Sequence, residues 1–187
     1  MSDPRLSSGE FSELVRPHLA ALYRLAFRFT GQRFDAEDLL QELLTRLYGR
    51  GERLDAVEAL RPWLARALYN LHVDQRRSRA RTPLGHLREP ADATEGDAAE
   101  PRDPGAGPEA SLESTLLGQT LGAAVATLAD DQRLIVLLHD VEGYKLHEAA
   151  AILGVPLGTA KSRLHRARDR LRDYLRERNL IPSNVVF

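Results

Sequence analysis

The chain has 187 residues, a near-balanced formal charge of −1 and no cysteine; it is long enough for one or two domains of about 100–200 residues each. Disulfides, thiolate metal sites and direct thiol redox sensing are excluded. No apolar run approaches the ~20 residues of a membrane span, and the opening MSDPRLSSGE lacks a signal peptide's apolar core, so the expected location is the cytoplasm, without membrane insertion.

Phe11, Leu14, Val15, Leu22, Leu25, Ala26 and Phe29 form one stripe at helical spacing. Pro17 interrupts it; a proline inside a helix costs about 3 kcal/mol, which predicts a kink or break near Arg16. Gly31 ends the segment. Asp35 suits an N-cap, with Glu37 and Asp38 in the first turn near the positive end of the helix dipole. Leu39, Leu40, Leu43, Leu44 and Leu47 then make a buried face. Asp38, Gln41, Glu42 and Thr45 lie on the other side as an acidic and polar ridge. Tyr48 to Leu60 reads as a loop.

Pro62 suits the start of the next helix. Leu64, Ala67, Leu68 and Leu71 are its apolar stripe, and Trp63 and Tyr69 flank it. From Arg61 to Arg81 there are six Arg against one Asp, a local charge of +5. Rings beside arginines are the ingredients for stacking single-stranded bases while cations track phosphates. Core or boundary packing accounts for both rings equally well.

Thr82 to Ser111 changes character: Pro, Gly, Ala and acids dominate, and seven acids against two Arg give −5. Such a segment buries too little surface to offset its ordering entropy and reads as a flexible linker. Leu112, Leu116, Leu117, Leu121, Ala124, Val125 and Leu128 mark a helix after it. Asp130 or Asp131 is placed to cap the next, through Leu134, Ile135, Leu137 and Leu138 to about Val141, and Gly143 breaks it.

Lys145 to Arg178 organises the second half. Leu146, Ala149, Ala150 and Leu153 give a short helix one apolar face. Gly154 stands where a left-handed C-cap belongs, and Pro156 suits the start of a second helix. That helix repeats apolar residues at Leu157, Ala160, Leu164, Ala167, Leu171 and Leu175. From Leu157 to Arg178 there are eight Lys or Arg against three acids, again +5. A short helix, a glycine turn and a basic second helix are the parts of a helix-turn-helix. An αα-hairpin with a solvated basic face has the same pattern. The fold class is therefore all-α: a helical domain at 1–81, the linker at 82–111, a second helical domain at 112–178 and a tail at 179–187.

Three segments together carry a resemblance: DAEDLLQELLTRLY (Asp35 to Tyr48), RPWLARALYNLHVDQRR (Arg61 to Arg77) and EAAAILGVPLGTAKSRLHRARDRLR (Glu148 to Arg172). In this order the chain resembles a bacterial RNA polymerase sigma factor of the extracytoplasmic-function (ECF) class, which keeps only regions 2 and 4. The resemblance covers both domains and leaves out the linker and tails. Ala149 and Ala160 depart from it, since larger aliphatics are usual at both places.

The resemblance implies a function: binding core RNA polymerase, at its β′ coiled coil and β flap, and directing it to promoter DNA. Asp38, Gln41 and Glu42 match the region that docks on the coiled coil, and an acidic ridge suits arginines on a partner helix. Asn70, Asp74, Arg76 and Arg77 match the helix that works at the −10 element, where capturing an extruded base offsets an unstacking cost. Lys161, Ser162, Arg163, His165 and Arg166 match the recognition helix at the −35 element. Arg166 or Lys161 suits a guanine edge, the others phosphates, with Arg163 alternatively turned toward the protein. Thr159 is placed to meet a phosphate at the helix N-terminus. An anti-sigma factor is an expected partner.

No cofactor, metal ligand set or catalytic residue is expected: the acids are accounted for by capping and docking, and no nucleophile has an adjacent base. Three other readings compete. A sigma mimic that sequesters an anti-sigma factor need not keep two basic segments. A regulator using only the helix-turn-helix leaves DAEDLLQE and NLHVDQRR unexplained. A metal-dependent enzyme would need histidines spaced beside the acids.

Overall fold

A computed structural model describes residues 7–49, 54–81, 118, 120–178 and 180. All regular structure among the described residues is helical. The chain divides into two compact units, Met1–Arg102 and Asp103–Phe187. The fold class is thus the all-α, two-unit one that the periodicity predicts. The expected linker, the start of the following helix at 112–117 and all of the tail except Leu180 lie outside the described residues.

In the first unit α1 (Ser8–Val15) is opened by a capping box: Ser7 N–H donates to Glu10 Oε2 at 2.9 Å and Glu10 N–H to Ser7 Oγ at 3.3 Å. Ser7 Oγ–H also donates to Glu10 Oε2 at 2.7 Å, and this bond, followed by the one from Ser7 N–H, lowers the pKa of the Glu10 carboxyl from its ordinary value. Pro17 produces a single 3-10 turn, Arg16–His18, before α2 (Leu19–Thr30). Gly31 ends α2 in the left-handed region, φ 74°.

α3 spans Arg33–Gly49 and α4 Leu60–Arg81. The expected cap at Asp35 is corrected: Gln32 C=O accepts from Ala36 N–H at 3.0 Å, so the helix starts earlier and Asp35 sits in its first turn. The loop expected from Tyr48 to Leu60 falls between the end of α3 and the start of α4; within it Leu54–Ala56 form a 3-10 turn that buries Leu54, and residues 50–53 lie outside the described residues. Pro62 falls in the first turn of α4 rather than at its start, where amide donors lack intrahelical partners anyway.

α2, α3 and α4 pack on one another. Leu22, Leu25 and Ala26 meet Ala36, Leu39, Leu43 and Leu47, and Leu64, Ala65, Leu68 and Leu71 complete the core. Each fully buried leucine contributes about 1.5–3 kcal/mol. Leu40 and Leu44 are only half-buried, because the i, i+4 line through Leu39, Leu43 and Leu47 faces the core centre and they flank it.

In the second unit residues 120–126 are helical. α5 (Asp130–Val136) follows and runs into a π-helical turn, Leu137–Val141. Neither Asp130 nor Asp131 caps α5: Ala129 is the N-cap and its carbonyl accepts from Arg133 N–H at 2.8 Å. The two acids still lie in the first turn, favourable for the dipole. α6 (Leu146–Leu153) ends at Gly154, φ 66°, and α7 spans Leu157–Glu177. Pro156 is the N-cap of α7, its carbonyl taking Ala160 N–H at 3.0 Å. Ala149, Ala150, Ile152, Leu153, Ala160, Leu164 and Ala167 close the two helices on Ile135, Val136 and Leu138. Small alanines at this crossing let the backbones approach.

Candidate nucleic-acid interface

α4 presents two polar stripes. Asn70, Asp74 and Arg77, spaced four and three residues apart, are all exposed. His72, Arg76 and Arg79 repeat that spacing on a different face and line a cleft of about 260 Å³ with Phe29, Thr30, Asp35 and Gln75. The four expected −10 residues are therefore divided: Asn70, Asp74 and Arg77 share a face and Arg76 belongs to the cleft.

The cleft is cationic. Arg79 approaches Asp35 at 3.8 Å. His72 stacks on Phe29 with centroids 5.6 Å apart and 29° between planes. Burial, then the charges of Arg76 and Arg79, lower the His72 pKa from its ordinary 6.5, so the ring stays neutral near pH 7. Tyr69 meets the same phenylalanine edge-on at 5.6 Å. Tyr69 and Trp63 are half-buried, the boundary positions left open by the sequence. Sequence reasoning missed His72 and Arg79 as cleft residues, although their i, i+4, i+7 spacing with Arg76 was the available signal.

On α3, Asp38 and Gln41 are exposed and Glu42 is half-buried. Glu42 is already engaged: Arg46 donates to one carboxylate oxygen and Gln75, from α4, to the other. The ridge is therefore joined by a side-chain bond to the helix carrying the −10 candidates.

On α7, Lys161, Ser162, His165 and Arg166 are exposed on one side. Ser162 Oγ donates to Thr159 C=O at 3.0 Å, and Arg166 Nε donates to Ser162 C=O at 3.2 Å. His165 Nδ1 lies 2.7 Å from Asp169, which also takes Arg172 at 2.7 Å. The Arg172 hydrogen bond, with His165 beside it, holds the Asp169 carboxyl below its usual range. Thr159 is half-buried in the first turn. Arg163 turns inward to Asp131 at 3.0 Å and ties α7 to α5. Arg168 makes a second such tie, to Asp140, which raises its pKa further. Arg133 donates to the carbonyls of Val125, Ala126 and Leu128 at 3.3, 3.2 and 3.0 Å, capping the preceding helical segment.

Among the described residues no group of His, Asp or Glu is placed to hold a metal, and no helix is long and apolar enough to cross a membrane.

Two family models match, and they fall one on each unit. Residues 14–82 match Sigma-70 region 2, and residues 118–171 match Sigma-70, region 4. The ECF RNA polymerase sigma factor SigW of Bacillus subtilis is 31% identical over 169 residues, 89% of this chain and 89% of SigW. The chain belongs to the ECF sigma factor family. ECF SigE of Mycolicibacterium smegmatis is 40% identical over 165 residues, 88% of this sigma factor; the match spans only 61% of SigE. A solved structure of the sigma factor RpoE with the anti-sigma factor NepR, from Bartonella quintana, superposes with a TM-score of 0.64 at 29% identity, covering 89% of this chain and 96% of RpoE. Members of the family are transcription initiation factors. The helix-turn-helix seen here is thus region 4, and α2 to α4 lie within region 2.

Proposed function

We propose that this chain binds core RNA polymerase through the α3 ridge and directs it to promoters, with α4 working at the −10 element and α7 at the −35 element. One observation carries the reading: of the residues that the sigma-factor motifs single out, all but Glu42, Thr159 and Arg163 stand exposed on α3, α4 and α7. Asp38 and Gln41 are free to meet a cationic partner. Asn70, Asp74 and Arg77 face solvent on the −10 helix. Lys161, Ser162, His165 and Arg166 form the groove-facing side of α7, while Arg163 braces the domain. The chemistry of polymerisation belongs to the core, so the protein is an initiation factor and not an enzyme in its own right. It works in the cytoplasm, where polymerase and DNA are.

The RpoE structure contains an anti-sigma factor, which supports an inhibitor of the same class here. It would compete for polymerase-binding faces. Retention of the exposed cations on α7 speaks against a mimic that has given up DNA.

The test uses the full chain with core polymerase and fork-junction promoter DNA. DNA binding should require both proteins. Charge-neutralising changes at Lys161 and Arg166 should lower binding to fragments carrying the −35 element only, and changes at Asn70 and Arg77 should affect the −10 junction only. Equal loss on both fragments from either set would contradict the division of labour.

A further inference from the structure

The outer seam of α3 carries Phe34, Asp38, Gln41, Thr45 and Tyr48, at successive spacings of four, three, four and three residues, and all five are exposed. This is the spacing with which one helix lies along another in left-handed packing. Its two ends are aromatic. Phe34 is 71% exposed and Tyr48 50%, the former more than any other large hydrophobic residue among those described. The rings stand about 21 Å apart along the axis at 1.5 Å per residue.

The domain's own packing leaves both rings at the surface. Tyr48 rests edge-on against Phe11 at 5.4 Å and keeps its outer side in solvent. Phe34 adds nothing to the core of α2, α3 and α4. The charge between the rings is also uneven in its pairing. Glu37 is held by Arg33 at 2.9 Å and Glu42 by Arg46. Asp38 has no ion-pair partner among the described residues. An exposed aromatic at each end and an unpaired carboxylate between them define a surface for a helix with a cation near its middle and apolar side chains toward its ends.

We infer that the polymerase-docking surface is this whole seam, and that Phe34 is its anchor at the N-terminal end of α3. The occupant is a helix, single or one strand of a coiled coil, presenting Arg or Lys to Asp38 and apolar surface to Phe34 and Tyr48. The inference rests on the docking reading above and extends it from an acidic ridge to a two-anchor interface. A ridge acting by charge alone binds weakly at high salt. Burying Phe34 adds a contribution that salt does not screen.

The test measures binding of the labelled full-length protein to core polymerase for Phe34→Ala, Phe34→Leu and Asp38→Asn, alongside thermal unfolding and promoter opening. Phe34→Ala should weaken core affinity about tenfold or more with an unchanged unfolding midpoint. Its residual binding should be more salt-sensitive, and Phe34→Leu should recover most of the loss. If Asp38→Asn weakens binding and Phe34→Ala does not, docking stands and the extended seam is wrong. If neither weakens it, the docking reading itself fails. If Phe34→Ala binds core normally but opens promoters poorly, Phe34 meets DNA and the inference is overturned.

Discussion

The side-chain amide of Gln75 donates a hydrogen bond to Glu42, tying α4 to α3 in the first unit. With Arg46 on its other oxygen, each Glu42 carboxylate oxygen already holds a hydrogen bond from within the domain. Glu42→Lys is therefore a poor probe of docking. It removes both bonds and sets a cation beside Arg46, and the expected cost to the domain is on the order of 1–3 kcal/mol. Asp38→Lys should leave the unfolding midpoint unchanged and still weaken core binding. Calorimetry and core affinity on both variants check this; normal core binding by a folded Asp38→Lys protein counts against the ridge.

Arg163 belongs to the expected −35 set by sequence, yet it is spent on Asp131. Asp131→Asn should release it toward solvent on the α7 side. Non-specific DNA affinity should then depend more steeply on salt, by about one unit of slope, as for one added phosphate contact. A titration of DNA binding against ionic strength reads this. An unchanged slope would mean that Arg163 stays folded against the protein even without its partner.

Arg166 has its Nε on the Ser162 carbonyl, which leaves the terminal nitrogens to reach a base edge. Arg166→Ala should cost about 1–3 kcal/mol at a single −35 base pair and little elsewhere. Binding to a panel of single-base −35 variants distinguishes the roles: a uniform loss would make Arg166 a phosphate contact.

His72 sets a pH dependence. Its folded pKa lies below 6.5 through burial and the nearby Arg76 and Arg79, so the unfolded chain takes up a proton at higher pH than the folded one. Stability of the first unit should be full above 6.5 and fall as pH drops through 6.5 toward the folded value. His72→Phe, which keeps a ring against Phe29, should flatten that slope. Unfolding midpoints across this range, with and without the substitution, decide it.

What was legible in the sequence was local. Gly31 and Gly154 announce left-handed helix ends, Pro17 announces its turn, and the leucine spacing of α3 announces which side is buried. Asp35 and Asp130 were misplaced by a turn or less because a cap depends on which carbonyl accepts the first amide, which side-chain type alone does not specify. Tyr144 is fully buried but sits between Gly143 and Lys145, outside any periodic pattern. The pairs Glu42–Gln75, Arg163–Asp131 and Arg168–Asp140 join residues roughly thirty positions apart. They depend on the azimuth at which one helix meets another, and a single sequence carries no direct record of that angle. The two stripes of α4 needed only a helical wheel and could have been separated beforehand.

The most direct test of the central claim is reconstituted transcription. Purified full-length protein is mixed with bacterial core RNA polymerase, and abortive products are followed on a pool of genomic promoter fragments, with core alone as the control. Discrete start sites that appear only when this protein is present are the predicted result. A folded protein that fails to bind core and yields no start sites would contradict it.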